Sequence, residues 1–93
     1  VTKAEIVSQI VKQTGISKED VKLTVETLLQ AIKNGLIRDE KIYFRGFGSF
    51  VNKRRKRKLA RNIAQNTAII VEEHYAPHFK PAKAWVATMK AQK

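Results

Sequence analysis

Apolar positions recur with a helical period over the first third of the chain and with strand-like density through its middle. Ile6, Val7, Ile10 and Val11 follow Thr2-Lys3-Ala4-Glu5, a T-x-x-E stretch with the form of a capping box, and the pattern predicts a first helix ending near Gly15. Ser17 is a second candidate N-cap, with Glu19 and Asp20 in the first turn behind it. The stripe of Val21, Val25, Leu28, Leu29, Ile32 and Leu36 then predicts a second, longer helix that reaches about Gly35.

Beyond it the period changes. Lys41 to Phe44 reads as an extended segment, Arg45-Gly46-Phe47-Gly48 as a tight turn or bulge around one apolar anchor, and strand resumes at Ser49. Phe47 to Val51 on one side and Thr67-Ala68-Ile69-Ile70-Val71 on the other are rich in β-branched and aromatic residues, so the basic stretch between them reads as the end of a β-ribbon. Pro77-His78-Phe79-Lys80-Pro81 is expected to interrupt the sheet, with Pro81 in the first turn of a closing helix through Ala84, Trp85, Ala87 and Met89.

A ribbon of about residues 51–74 leaves a small body for one core. The helix-two stripe and Phe44, Phe47, Phe50 and Phe79 carry more apolar surface than three short helices can cover, which implies burial against a second subunit. Phe47 and Phe50 are expected in the core rather than stacked on a ligand.

Charge sharpens this picture. The 93 residues hold 19 Lys+Arg against 8 Asp+Glu, a formal net charge of +11. Residues 52–61 contain seven basic side chains and no acid, so nothing within that segment neutralises them. Such a surplus repels itself unless a polyanion absorbs it. The chain has no Cys, which removes disulfides, Cys-ligated zinc and thiol chemistry together. Its longest strictly apolar run, Ala68 to Val71, is far short of a membrane span, and a cytoplasmic location is expected. His74 and His78 have no evident third partner, and no nucleophile set, carboxylate pair or phosphate loop stands out. No metal, cofactor, small-molecule substrate or catalysis is expected.

The order of features resembles the bacterial HU and integration host factor family of architectural DNA-binding proteins. The resemblance covers the whole chain and rests on Arg45-Gly46-Phe47-Gly48-Ser49-Phe50, on Arg61-Asn62, and on Pro77-His78-Phe79-Lys80-Pro81-Ala82-Lys83. It implies an α+β fold in which two N-terminal helices precede a three-stranded antiparallel sheet, extended into a long β-ribbon arm and followed by a short C-terminal helix, in an intertwined dimer. It implies one domain over 1–93, with 1–50 and 75–93 as dimerisation body and about 51–74 as arm. The family's arm tip usually reads R-N-P-x-T-G, whereas this chain has Arg61-Asn62-Ile63-Ala64-Gln65-Asn66. Proline, threonine and glycine are absent, and Ile63 is expected to take the wedge's place between base pairs. Losing the proline leaves the tip less pre-organised, with Asn66 at the glycine's position.

By resemblance and strand alternation, Lys53, Arg55, Lys58 and Arg61 are expected to face duplex DNA, with Asn62 reading minor-groove acceptors. Arg45 is expected to hold phosphates where the arm begins. Lys3, Lys18, Lys80 and Lys83, near predicted helix starts, are expected as further phosphate contacts. The partners implied are double-stranded DNA in the nucleoid and a second chain, identical or paralogous. The function implied is sequence-independent bending and compaction. Site-specific bending of the integration host factor type and RNA binding through the basic ribbon are the alternatives.

Overall fold

The computed structural model describes residues 1–62, 64–65 and 67–92, and the chain divides into two compact units, Val1–Gly35 and Leu36–Lys93. Helix α1 spans Lys3–Thr14 and helix α2 spans Lys18–Ile37. The five strands are β1 (Ile42–Phe44), β2 (Gly48–Arg55), β3 (Lys58–Asn62), β4 (Thr67–Val71) and β5 (His74–Pro81), and helix α3 (Lys83–Ala91) closes the chain. This is the expected α+β order.

In the first unit both helix starts are set by hydroxyl caps. Thr2 Oγ1 accepts from the Glu5 N–H at 3.2 Å, and Ser17 Oγ accepts from the Asp20 N–H at 3.2 Å. α1 ends where the Gly15 N–H donates back to the Val11 carbonyl. Val7 and Val21 are buried, at 3% and 4% exposure, while Ile10, Val11 and Val25 are half-buried.

α2 continues past the expected stop at Gly35, because its end is set by tertiary contacts. The Asn52 side-chain amide donates to the Leu36 carbonyl at 2.7 Å and to Asp39 Oδ1 at 3.2 Å. Asp39 itself adopts a left-handed φ of 60° and returns its N–H to Leu36 O. The Leu36 carbonyl, otherwise orphaned at the helix end, is thereby satisfied from strand β2 and from Asp39.

The second unit is built on an antiparallel sheet in the order β1-β2-β5, beyond which β3 and β4 pair as a two-stranded ribbon. Phe44-Arg45-Gly46-Phe47 is a turn closed by the Phe47 N–H on Phe44 O at 3.0 Å, with φ of 78° at Gly46, the geometry of a type II turn. Gly48 answers a different need. A Cβ there would lie 2.4 Å from the Lys80 carbonyl and 2.7 Å from the Phe79 ring, so only glycine lets β2 and β5 approach this closely. The aromatic cluster sits over this crossing: Phe79 lies 4.9 Å from Phe50, 5.2 Å from Phe47 and 5.5 Å from Trp85 of α3. Phe50 is a half-buried ring of this cluster, in line with its expected core role, whereas Phe47, expected in the core as well, lies against Phe79 and Trp85 but is 45% exposed in the single chain.

Two expectations about proline need correction. Pro77 does not interrupt the sheet, since β5 runs from His74 to Pro81 with Pro77 opposite Asn52 and Pro81 opposite Gly48. β5 is an edge strand, and the spacing of four gives both prolines the same orientation in the pleat, so their missing N–H groups can face away from β2. Nor does Pro81 enter α3. It ends β5, and Ala82 is the N-cap residue, with its N–H donated to Phe47 O at 2.8 Å.

Candidate nucleic-acid interface

The ribbon keeps a single register over its length. Arg55 pairs with His74 at the end of β2, Lys58 with Val71 at the start of β3, and Asn62 with Thr67 at its end. Between these ladders Lys56 and Arg57 on one strand face Glu72 and Glu73 on the other without strand pairing. Equal gaps on both sides make this a joint rather than a bulge, because no residue is inserted to shift one strand against its partner.

The joint carries the acids that sequence reading overlooked. Arg54 grips Glu73 through two parallel bonds, Nε to Oε1 at 2.8 Å and Nη2 to Oε2 at 2.8 Å. The hydrogen bond to Glu73 raises the Arg54 pKa above its ordinary value. Arg57 Nε lies 3.7 Å from Glu72 Oε1. The basic run is therefore partly neutralised from the returning strand, contrary to its unopposed look in one dimension. The signal was available: a hairpin centred on Ala64-Gln65 places residue 57 opposite 72.

A concave surface of about 500 Å³ opens at the joint, lined by Arg55, Lys56, Arg57, Lys58, Val71, His74 and Ala76. His74 Nδ1 lies 2.9 Å from the Glu72 carbonyl, which orients the ring there. His74 and His78 stand four residues apart on one strand, about 13 Å by strand rise, too far to share an ion.

Lys53 and Arg55 are exposed, lie two residues apart on β2 and so share a face, and make no ion pair among the described residues. Lys58 and Arg61 are also exposed but stand three apart on β3, so alternation turns them to opposite faces. The four arm residues therefore do not form one flat basic face. Asn62 is placed by its backbone pairing with Thr67. Ile63, the expected wedge, and Asn66 lie outside the described residues.

The distal ribbon is also apolar. Leu59 pairs with Ile70 and Ala60 with Ile69, and Leu59, Ile69 and Ile70 are 73%, 45% and 50% exposed. At the other end of the sheet the register brings Lys80 opposite Ser49, next to the Arg45 turn, and Ala82 ties that turn to the start of α3, where Lys83 is the first residue. Arg45, Lys80 and Lys83 thus gather at one end of the second unit. α3 has no side-chain cap, so its first N–H groups share that end with the three cations. In the first unit Lys18 opens α2 and is exposed. Lys3 is ion-paired with Glu26 at 3.1 Å, and that hydrogen bond, with the Coulomb attraction of Lys3, lowers the Glu26 pKa.

A family model described as bacterial DNA-binding protein matches residues 1–90. Integration host factor subunit beta of Stutzerimonas stutzeri (strain A1501) is 37% identical over 83 residues, covering 88% of this chain and 89% of that protein. DNA-binding protein HU of Thermotoga maritima is 36% identical over 83 residues, covering 89% and 92%. Among solved structures, the HU chain of an Anabaena HU–DNA cocrystal superposes with a TM-score of 0.84 at 22% identity, covering 96% of this chain and 97% of that one, a likeness of fold. HU from Thermotoga maritima superposes at 0.67 with 29% identity, covering 96% and 98%. Family match, fold and the spaced motifs agree, and the chain belongs to the bacterial DNA-binding protein family of HU and integration host factor.

Proposed function

We propose that this protein is a non-catalytic, nucleoid-associated architectural factor that binds double-stranded DNA as a symmetric dimer and bends it between two ribbon arms, with little reading of base sequence. The observation that carries this is the ribbon itself. Residues 51–74 hold seven basic side chains, with exposed aliphatic side chains on both faces of two strands in one register, a shape that enters a groove with cations toward phosphate and aliphatic groups toward the sugar walls. Relatives that match over most of the chain are named DNA-binding protein HU and integration host factor.

Incomplete burial supports the dimer. Val7, Val21 and Leu36 are the buried hydrophobic side chains among the described residues, while Leu23, Leu28, Leu29 and Ile37 of α2 remain exposed. An open apolar groove of about 130 Å³, lined by Ile10, Ile16, Val21, Thr24 and Val25, adds to this unclosed core. Residues 1–50 and 75–93 serve in this reading as the dimerisation body and about 51–74 as the arm. Lys53, Arg55, Lys58, Arg61 and Asn62 meet the duplex, Ile63 kinks it, and Arg45, Lys18, Lys80 and Lys83 receive the flanking phosphates. Lys3 joins them only by leaving Glu26.

End-to-end fluorescence transfer on a doubly labelled random-sequence duplex tests the proposal at low and near-physiological salt. Saturable, salt-sensitive shortening is expected. Binding without shortening rejects bending, and a salt slope near zero rejects the electrostatic mechanism. Because relatives named for HU and for integration host factor stand at nearly equal identity, site-specific bending is the second reading. Excess random duplex decides it, since a site-specific factor holds its labelled target against such competition.

A further inference from the structure

The ribbon joint sets the arm's only two acids, Glu72 and Glu73, against two of its seven bases. We propose that Glu72 and Glu73 are built-in counterions that withhold Arg54 and Arg57 from nucleic-acid phosphate, so that strand β2 presents phosphate-binding charge on the face of Lys53 and Arg55 alone. The inference rests on the duplex-binding reading and deepens it by naming which cations of an unbroken basic run do the binding.

Three observations carry it. Alternation along β2 turns Arg54 to the face opposite Lys53 and Arg55, and Arg54 is the one held by a two-pronged carboxylate contact at 2.8 Å. Both ion pairs are well exposed, and exposed pairs add little to stability, so folding gives little account of them. Finally, Lys53 and Arg55 have no acidic partner among the described residues.

The exchange energetics point the same way. Moving Arg54 from Glu73 to a phosphate trades one charge-assisted contact for another and strands a carboxylate beside a polyanion. Like-charge repulsion makes that exchange unfavourable, whereas Lys53 and Arg55 reach phosphate without displacing anything. Arg57 is held more loosely at 3.7 Å, so Glu73 is the stronger shield.

The test is the slope of log K against log salt for random duplex, which changes by about 0.9 for each phosphate newly neutralised or newly released. Glu73→Gln is expected to steepen the slope by about 0.9 per chain, and Glu72→Gln with Glu73→Gln by up to about 1.8. The pair Arg54→Gln with Glu73→Gln, which removes both charges together, is expected to keep the wild-type slope. An unchanged slope in the double glutamine variant overturns the inference, and so does a loss of about 0.9 per chain in the Arg54/Glu73 pair variant, since Arg54 would then bind phosphate in the natural protein. A wild-type protein that binds no duplex overturns the parent reading and this inference with it. Duplex binding with either adverse slope overturns this inference alone.

Discussion

The root of the ribbon and its distal half are built from the same antiparallel pairing in one register, yet they have opposite surroundings. At the root, Phe50 stands opposite Phe79, with Phe47 and Trp85 beside them, and Asn52 fastens β2 to the end of α2. In the distal half Leu59 and Ile70 face each other while largely open to water. Strand pairing aligns side chains but does not bury them. Burial needs a further layer, which the root has and the distal ribbon lacks among the described residues. Aliphatic groups held out on a charged, two-stranded ribbon suit a partner that supplies the missing layer, the part that groove walls play in the proposed complex.

The largest expected effect comes from closing the space at the root. Gly48→Val puts side-chain carbon into the Lys80 carbonyl and the Phe79 ring, and is expected to lower stability by about 3 kcal/mol or more, read from urea unfolding at fixed protein concentration. Next is a direct contrast between the two halves. Phe79→Ala, in the aromatic cluster, is expected to cost about 2–3 kcal/mol, below the full cavity cost because the ring is only half-buried. Ile70→Ala in the distal ribbon is expected to cost less than about 0.5 kcal/mol. Equal losses in the two variants would mean that the distal ribbon is packed in the free protein. Asn52→Ala removes the latch on Leu36 and Asp39 and is expected to cost about 1–2 kcal/mol in the same assay.

The smallest effect lies outside both regions and serves as their control. The Glu26 pKa is depressed below its ordinary value of 4.5 by the hydrogen bond from Lys3. A depressed acid contributes stability above its unfolded-state pKa and loses it as pH falls through the lower folded-state value. Glu26→Gln is therefore expected to lower the urea midpoint slightly at neutral pH and to leave it unchanged in strong acid. A gap that persists in acid would show that something other than the carboxylate charge was removed.

Much of the architecture was legible in one dimension because it rests on local chemistry. The T-x-x-E start of α1, the Ser17 cap of α2, the Arg45 to Gly48 turn and the basic run between two β-rich segments all took their expected places. Misplaced features were those decided by strand position. Gly35 seemed a helix stop but lies within α2, whose end is set by Asn52 sixteen residues away. Pro77 seemed a sheet breaker but occupies an edge strand that tolerates it.

The candidate site divides along the same line. Lys53, Arg55, Lys58, Arg61, Arg45, Lys80 and Lys83 are exposed where expected, since a strongly basic chain leaves its cations in water. Which of them share a face, and which bases are already matched by acid, depends on cross-strand neighbours many residues distant. The order of residues was enough to settle the succession of elements though not their ends, the family and the polyanionic class of partner, because caps, turn residues and charge act through near neighbours or through their sum. It took the folded chain to settle that Glu73 holds Arg54, that Lys58 and Arg61 turn apart, and that the root is packed while the distal ribbon is bare, because each of these is a relation between strands that only the register creates.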